Sequence, residues 1–356
     1  MSGRQQHYLP QFLQRPFRHR THKNKDYVYA HEGTRSYTPS TMGLGQERDF
    51  YGHPDESIAD GNITNSETRL AEILNRLNSD PNRVSQEDHA HLLAALAVRT
   101  RKLRDSLSGL VKTISAEMAD YFQRKESLRR EIETYWSDEQ KLNSLISEEL
   151  RKYPGIPEEL RVQLTLRMKK EWHQQREHIV AKVNELGQAL ATEFFSRMDK
   201  ESAAVADNAF RKIFERDPTI PARAESLTAL YEFSMIEAPE DAEFILGDCA
   251  AVGFRSDGAP RLPIGDLNDE TPLAFIFLPI SPRRCVMAAK RGTTALATVG
   301  EINRASAGLS HHFFISKSPD PVDLQILRAL IGTAEPLVSE GDVRWLMESN
   351  GDGSAN

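Results

Sequence analysis

The amino-acid sequence predicts an α+β protein in which a long antiparallel helical hairpin packs with a small, mostly antiparallel sheet and short helices. Three observations carry this expectation. No proline occurs from Asn82 to Tyr153, nor from Glu158 to Asp217, and both stretches repeat apolar residues at helical spacing. Between them, Lys152-Tyr153-Pro154-Gly155-Ile156-Pro157 is a sharp break, so the two helical runs should fold back on each other. After Pro218 and Pro221 the helical period gives way to short apolar runs separated by turns, the pattern of an α+β segment.

Taken in order, residues 1–83 form a docking segment with short strands and an acidic helix. Tyr8, Phe12 and Phe17 offer enough apolar area to tie down a terminus that would otherwise fray. Asp26 to Ala30 reads as a strand that pairs with Arg35-Ser36-Tyr37 across a turn at Gly33. A helix starts at Asn65-Ser66-Glu67, continues through Leu70, Ile73, Leu74 and Leu77, and ends at Pro81-Asn82. Residues 84–217 are the helical region. Ser85 with Asp88 resembles a capping signal, and the first limb carries Leu92, Leu96, Leu103, Leu107, Leu110, Ile114, Met118, Tyr121 and Phe122. The second limb has a stripe of Val183, Leu186, Leu190, Phe194, Met198, Val205, Phe210 and Ile213, which should face the preceding helix or a second subunit. Residues 218–348 complete a composite domain, with strands at 244–246, 274–278, 285–287 and 313–315 and helices at 298–306 and 324–331. Residues 349–356 form a disordered tail.

Composition narrows the function classes. Net charge is −7, and the acidity sits at the C-terminal end, where residues 218–356 carry 11 basic and 19 acidic side chains. This disfavours bulk electrostatic binding to nucleic acid, although the basic residues ahead of Asp26 leave room for a local patch. No apolar run reaches the roughly 18 residues of a membrane helix, and no secretory h-region follows the N-terminus. Cys249 and Cys285 cannot build a disulfide framework. A cytoplasmic protein is the expectation. No Walker loop, dinucleotide turn, His-Glu-x-x-His or Cys-x-x-Cys is present, which argues against the common nucleotide, zinc-protease and redox classes.

The order of several short motifs resembles the bacterial domain-of-unknown-function family 4238. His7, Tyr8, Pro10, Phe12 and Phe17 match its opening His-Tyr-x-Pro-x-Phe signature, with Leu13 and Gln14 in place of a Tyr-Leu pair. Asp26 to Tyr29 and Gln46-Glu47-Arg48-Asp49-Phe50-Tyr51 resemble its strand and its Glu-x-x-Phe-Tyr element. Glu67 to Leu77 is similar to its acidic helix. Leu92 to Thr100 is similar to a helix ending in Arg-Thr-Pro, with Arg101 replacing the proline. Phe244 to Asp248, Leu278 to Pro282 and Ile302-Asn303 resemble later elements, although Cys249-Ala250 replaces an Asn-Pro turn. The resemblance implies one composite domain and no particular reaction.

Each candidate site residue has a functional reading and a plainer one. His7 can serve as general base or metal ligand, or can simply hold the docked terminus by a hydrogen bond. Tyr8 fits packing better than catalysis. Glu72 and Arg76 are four apart and suit a surface pair, while Glu67 either joins a site or complements the helix dipole. Arg99, on an apolar helix face, needs an acidic partner if buried, or else binds phosphate or carboxylate through its planar fork. Asp248 follows an apolar strand, where a carboxylate is either aimed into a site or shapes a turn. Ser281 sits in a Ser-Pro turn. Asn303 is a cap or a site amide. His311 and His312, as strand neighbours, point to opposite faces and make a poor joint metal pair. Cys249 suits a small buried thiol.

The leading expectation is a hydrolase-like enzyme, acting on phosphodiesters, in which His7, Asp248 and Glu67 or Glu72 converge. Arg99, Asn303, Tyr8 and Ser281 would bind substrate. Mg²⁺ is the metal such a site would take, since it needs only one or two carboxylates. The rivals are a non-catalytic module that self-associates through the long helices, and a nucleic-acid sensor using the basic N-terminal arm.

Overall fold

The N-terminal aromatics dock. The computed structural model describes residues 5–53, 58–123, 129–130, 133, 138–216, 221–263, 273–293 and 297–334, so the expected tail 349–356 lies outside the described residues. Tyr8, Leu9, Leu13 and Phe17 are buried, while Phe12 is only partly buried against the same core. β1 (Gln5–His7) pairs antiparallel with β6 (Gln46–Arg48), His7 opposite Gln46. The one-turn helix α1 (Gln11–Gln14) follows. The buried Gln14 amide donates to the carbonyls of Leu9 and Leu44 at 2.7 and 3.0 Å, stitching that turn to the loop before β6.

The expected strand at 26–30 is two strands. β3 (Lys25–Tyr27) pairs with β2 (Arg20–His22), whereas β4 (Tyr29–Glu32) pairs with β5 (Arg35–Tyr37) across Gly33. The chain changes partners at Val28, whose N–H goes to the Pro39 carbonyl.

α2 (Ala59–Ser79) starts one to two turns before the expected position, with Leu70, Ile73, Leu74 and Leu77 on its buried face as their spacing predicts. α3 (Gln86–Ala97) is capped by Ser85, whose Oγ accepts from the Asp88 N–H at 3.1 Å. His89, Ala90 and every residue from Leu92 to Ala97 are buried, so α3 is an interior helix rather than one limb of a surface hairpin. The helical run does not continue through 98–100. Arg99 N–H reaches only the Leu96 carbonyl, and Thr100 caps a new helix, α4 (Arg101–Gln123), by accepting from Leu103 N–H at 3.0 Å. Among the described residues the predicted first limb is therefore interrupted at 98–100, and Asp138 caps a further helix, α5 (Glu139–Arg151). The second limb, α6 (Glu158–Arg216), is one uninterrupted helix.

The chain forms two compact units, residues 1–110 with 204–356, and residues 111–203. In the second, Leu142, Ile146 and Leu150 of α5 pack with Ile156, Leu164, Met168 and Trp172 across the Pro154-Gly155 break, which is the expected hairpin in shortened form. Val183, Leu186, Leu190 and Phe194 are exposed. In the first, the end of α6 brings Phe210 and Phe214 into contact with Phe50 and Tyr51, with ring centroids 5.0 to 6.2 Å apart. Such offset and edge contacts add to burial.

The rest of the first unit is built on antiparallel sheet. After α7 (Pro221–Leu230) come β7 (Tyr231–Glu237), β8 (Leu246–Gly247), β9 (Val252–Arg255), β10 (Pro260–Arg261), β11 (Leu273–Ser281) and β12 (Arg284–Lys290). They are followed by α8 (Val299–Leu309), β13 (Phe314–Ser316) and α9 (Leu324–Leu330). One sheet has the order β10-β9-β11-β12-β7 and the other β5-β4-β13-β8. β11 is buried along nearly its whole length, which is why it reads as a continuous apolar run. Gly247 lets β8 touch α8: a Cβ there would sit 2.7 Å from the Ser306 carbonyl oxygen and 2.5 Å from Ser310 Oγ. No helix among the described residues is long and apolar enough to cross a membrane.

Candidate functional site

Arg99 is the largest fully buried side chain among the described residues, 2% exposed. The break between α3 and α4 turns it into the core, where three elements meet its guanidinium. Nη2 donates to Glu67 Oε1 on α2 at 2.6 Å and to the His7 backbone carbonyl at the end of β1 at 3.1 Å. Nε donates to the Tyr51 hydroxyl at 3.1 Å, which itself donates to the same His7 carbonyl at 3.2 Å. Burial works against the charge, but Tyr51 and Glu67 outweigh it and hold the guanidinium protonated. The third nitrogen, Nη1, is buried and has no partner among the described residues.

His7 is half-buried at this junction, and its Nε2 is likewise buried without a partner among the described residues. Burial holds the imidazole below its usual range. The carbonyls of Thr41 and Met42 and the Glu67 charge pull upward, while the Arg99 charge pushes down. The ring is therefore neutral near pH 7, the form that accepts a proton. Tyr51, which sequence reasoning did not select, is held in turn by Gln6, whose Oε1 accepts from its N–H at 2.6 Å. The signal was present in the Phe50-Tyr51 pair, but nothing in the sequence told an aromatic core residue from a hydrogen-bonding one.

The other candidates do not join this junction by direct contact. Glu72 is exposed on α2, and Arg76 bonds Asp88 at 2.8 Å instead of pairing with it. Asp248 is buried behind β8, and its two oxygens accept from the N–H groups of His311, His312 and Phe313 at 2.7, 2.8 and 3.4 Å. It shapes the loop before β13. Burial still pushes its carboxyl up to about 6 against those three donors. Tyr8 packs on Phe50, with centroids 5.3 Å apart, and feels the Asp248 charge. Ser281 Oγ accepts from Arg283 and Arg284 N–H in the β11–β12 turn. Asn303, on α8, clamps the strand entry: Oδ1 accepts from Ile245 N–H at 3.0 Å and Nδ2 donates to the Glu243 carbonyl at 2.8 Å. Cys249 is fully buried, and burial pushes its thiol up.

A second polar chain runs beside the first. Glu47 accepts from Arg101 and from Arg104, the latter at 3.3 Å. Arg104 then forks onto both oxygens of Asp207, at 2.7 and 2.9 Å. Asp105 meets His311 Nε2 at 3.3 Å. Among the described residues, no three His, Cys, Asp or Glu side chains gather in a way that would hold a metal ion. A cleft of about 1030 Å³, lined by residues such as Phe254, Arg261 and Arg304, contains none of the residues selected from the sequence.

The family described as "Protein of unknown function (DUF4238)" matches residues 5–296, and the chain belongs to that family. No curated protein and no solved structure matches the chain.

Proposed function

We propose that this member of the family is a phosphoester hydrolase whose site is completed by the docked N-terminal segment. One observation carries the reading: a fully buried arginine keeps one nitrogen without a partner among the described residues while gripping the backbone of a histidine that also keeps one. A buried donor left unpaired is costly, and a guanidinium so placed is suited to an anionic oxygen. In this reading Nη1 of Arg99 binds a phosphoryl oxygen and stabilises the charge that builds on it. Neutral His7 takes the proton of the attacking water and returns it to the leaving alkoxide, so that a phosphodiester and water become a phosphomonoester and an alcohol. Glu67 and Tyr51 position Arg99 and do not touch substrate. Asp248 is left out, because its oxygens are already occupied by backbone donors. The nucleic-acid reading has less behind it, since Arg15 and Arg18 both lie 3.8 Å from Asp26.

The test is turnover of a chromogenic phosphodiester and a phosphomonoester panel by the full chain, compared with His7→Ala and Arg99→Lys. The expected result is turnover abolished in His7→Ala with the melting temperature nearly unchanged, and a raised KM in Arg99→Lys. Absence of turnover on every phosphoester, or loss of activity and melting temperature together in His7→Ala, overturns the proposal.

A further inference from the structure

The second unit offers an exposed surface with its own logic. On α6, Val183, Leu186, Leu190 and Phe194 are 38, 57, 67 and 58% exposed. At 100° per residue these four fall within an arc of about 80° and form one stripe along the helix. Val180 and Phe195, which are 1 and 8% exposed, project roughly 40–100° beyond one edge of the stripe. Met168 and Trp172, which α6 packs against α5, lie at the azimuth of the stripe itself. The stripe therefore continues, as an exposed surface, the apolar face that α6 turns to α5 nearer its N-terminus.

The charges at its edge say what fits it. Lys182 and Glu193 lie on the same side of the stripe, at nearly the same angle around the helix, one near each end. Among the described residues, Lys182 makes a long, well-exposed contact to Glu185 at 3.8 Å. If two copies of the helix align in parallel, the two-fold axis runs along the helices, each Lys182 and each Glu193 lies across the seam from its own copy, and no opposite-charge pair forms. If they align antiparallel about the point between Gly187 and Gln188, Lys182 of one copy lies opposite Glu193 of the other, and the same pair recurs by symmetry. That arrangement brings Leu186 and Leu190 to the centre. A self-complementary patch of this kind is the isologous interface of a two-fold dimer, and charges flanking an apolar seam set partner and orientation.

We infer that this stripe is the contact surface for a second copy of the chain, paired antiparallel through residues 179–197. This goes beyond the hydrolase reading and does not depend on it.

The experiment is sedimentation of the full chain over a concentration series reaching about 200 μM, well above the micromolar dissociation constant expected for an interface smaller than roughly 1,200 Å². A concentration-dependent dimer is expected. Leu190→Glu, at a position already two-thirds exposed, should raise the dissociation constant about 100-fold, since the change occurs twice in the dimer. Circular dichroism should show its helix intact. Lys182→Glu should weaken the dimer about tenfold, and Lys182→Glu combined with Glu193→Lys should restore it. A monomer throughout the series overturns the inference, as does a dimer indifferent to Leu190→Glu. A charge swap that fails to rescue overturns the antiparallel pairing.

Discussion

Removing the Arg99 guanidinium tests the central junction most directly. Arg99→Met keeps the stem volume but deletes three hydrogen bonds, to Glu67, to the His7 carbonyl and to the Tyr51 hydroxyl. The His7 carbonyl keeps only Tyr51 at 3.2 Å, and Glu67, one-third exposed, is rehydrated. Because the charge left behind is the exposed one, the cost comes from hydrogen bonds lost at groups that stay buried, and is about 2–4 kcal/mol. Glu67→Gln acts from the wet side and leaves Arg99 a neutral acceptor, so solvent screening reduces its cost to about 1–2 kcal/mol. Because both changes act on one contact, the double variant should fall short of the sum by about 1 kcal/mol or more. Urea unfolding followed by circular dichroism measures all four corners of the cycle. Costs that add within about 0.5 kcal/mol, or an Arg99→Met cost below about 1 kcal/mol, would refute the view that this ion pair ties α2, α3 and β1 together.

Three further outcomes are expected. Deleting residues 1–17 removes Tyr8, Leu9, Leu13 and Phe17 from the core, and at about 3–5 kcal/mol per buried aromatic cooperative thermal melting should be lost; an unchanged melt defeats the docking argument. His31 is fully buried, with Nδ1 2.8 Å from Ser36 Oγ and Nε2 2.7 Å from Ser316 Oγ, and burial brings its pKa down to about 4. Its folded value lies below its unfolded value of about 6.5, so its contribution is complete above that pH and is lost, by up to about 3 kcal/mol, as pH falls from 6.5 to 4. Asp248, pushed up to about 6, acts with the opposite sign over much of this window, so the readout is the stability difference between wild type and His31→Gln, which should shrink on acidification; a constant difference contradicts the assignment. Gly247→Ala should cost about 1–3 kcal/mol by forcing β8 off α8, with thermal denaturation as the measure and an unshifted melting temperature as the contrary result.

Much of the architecture was legible where the local signals were strong. The Pro154-Gly155 break and the absence of proline from Glu158 to Asp217 placed α6 correctly, and the Ser85–Asp88 cap marked the start of α3. The break at 98–100 was not legible, because neither proline nor glycine marks it; a Thr100 cap and the pull of Glu67 on Arg99 make it. β7 was missed because Tyr231–Glu237 follows the helix α7 without a turn signal, and β9 because it is short. At the site, Arg99 was expected to need an acid if buried, and Glu67 was expected to be near a site. Their pairing across 32 residues of chain depends on how α2 lies against α3, which no spacing rule encodes. Asp248 looked like a site carboxylate because strand ends often are; only the three backbone donors of the 311–313 loop assign it to the turn.

The sheet β5-β4-β13-β8 joins distant parts of the chain: His31 and Ser316, bonded side chain to side chain, are 285 residues apart. On the ribosome, at about 5–20 residues per second, roughly 14 to 57 s pass between synthesis of the two strands. Throughout that interval β4 and β5 exist only as an isolated hairpin, which is marginally stable in water, and β4 offers an unpaired edge to any neighbour. A nascent chain that stops short of Phe314 can never close this sheet. Chains terminated before Phe314 would therefore remain open to chaperones and proteases instead of accumulating as near-native forms.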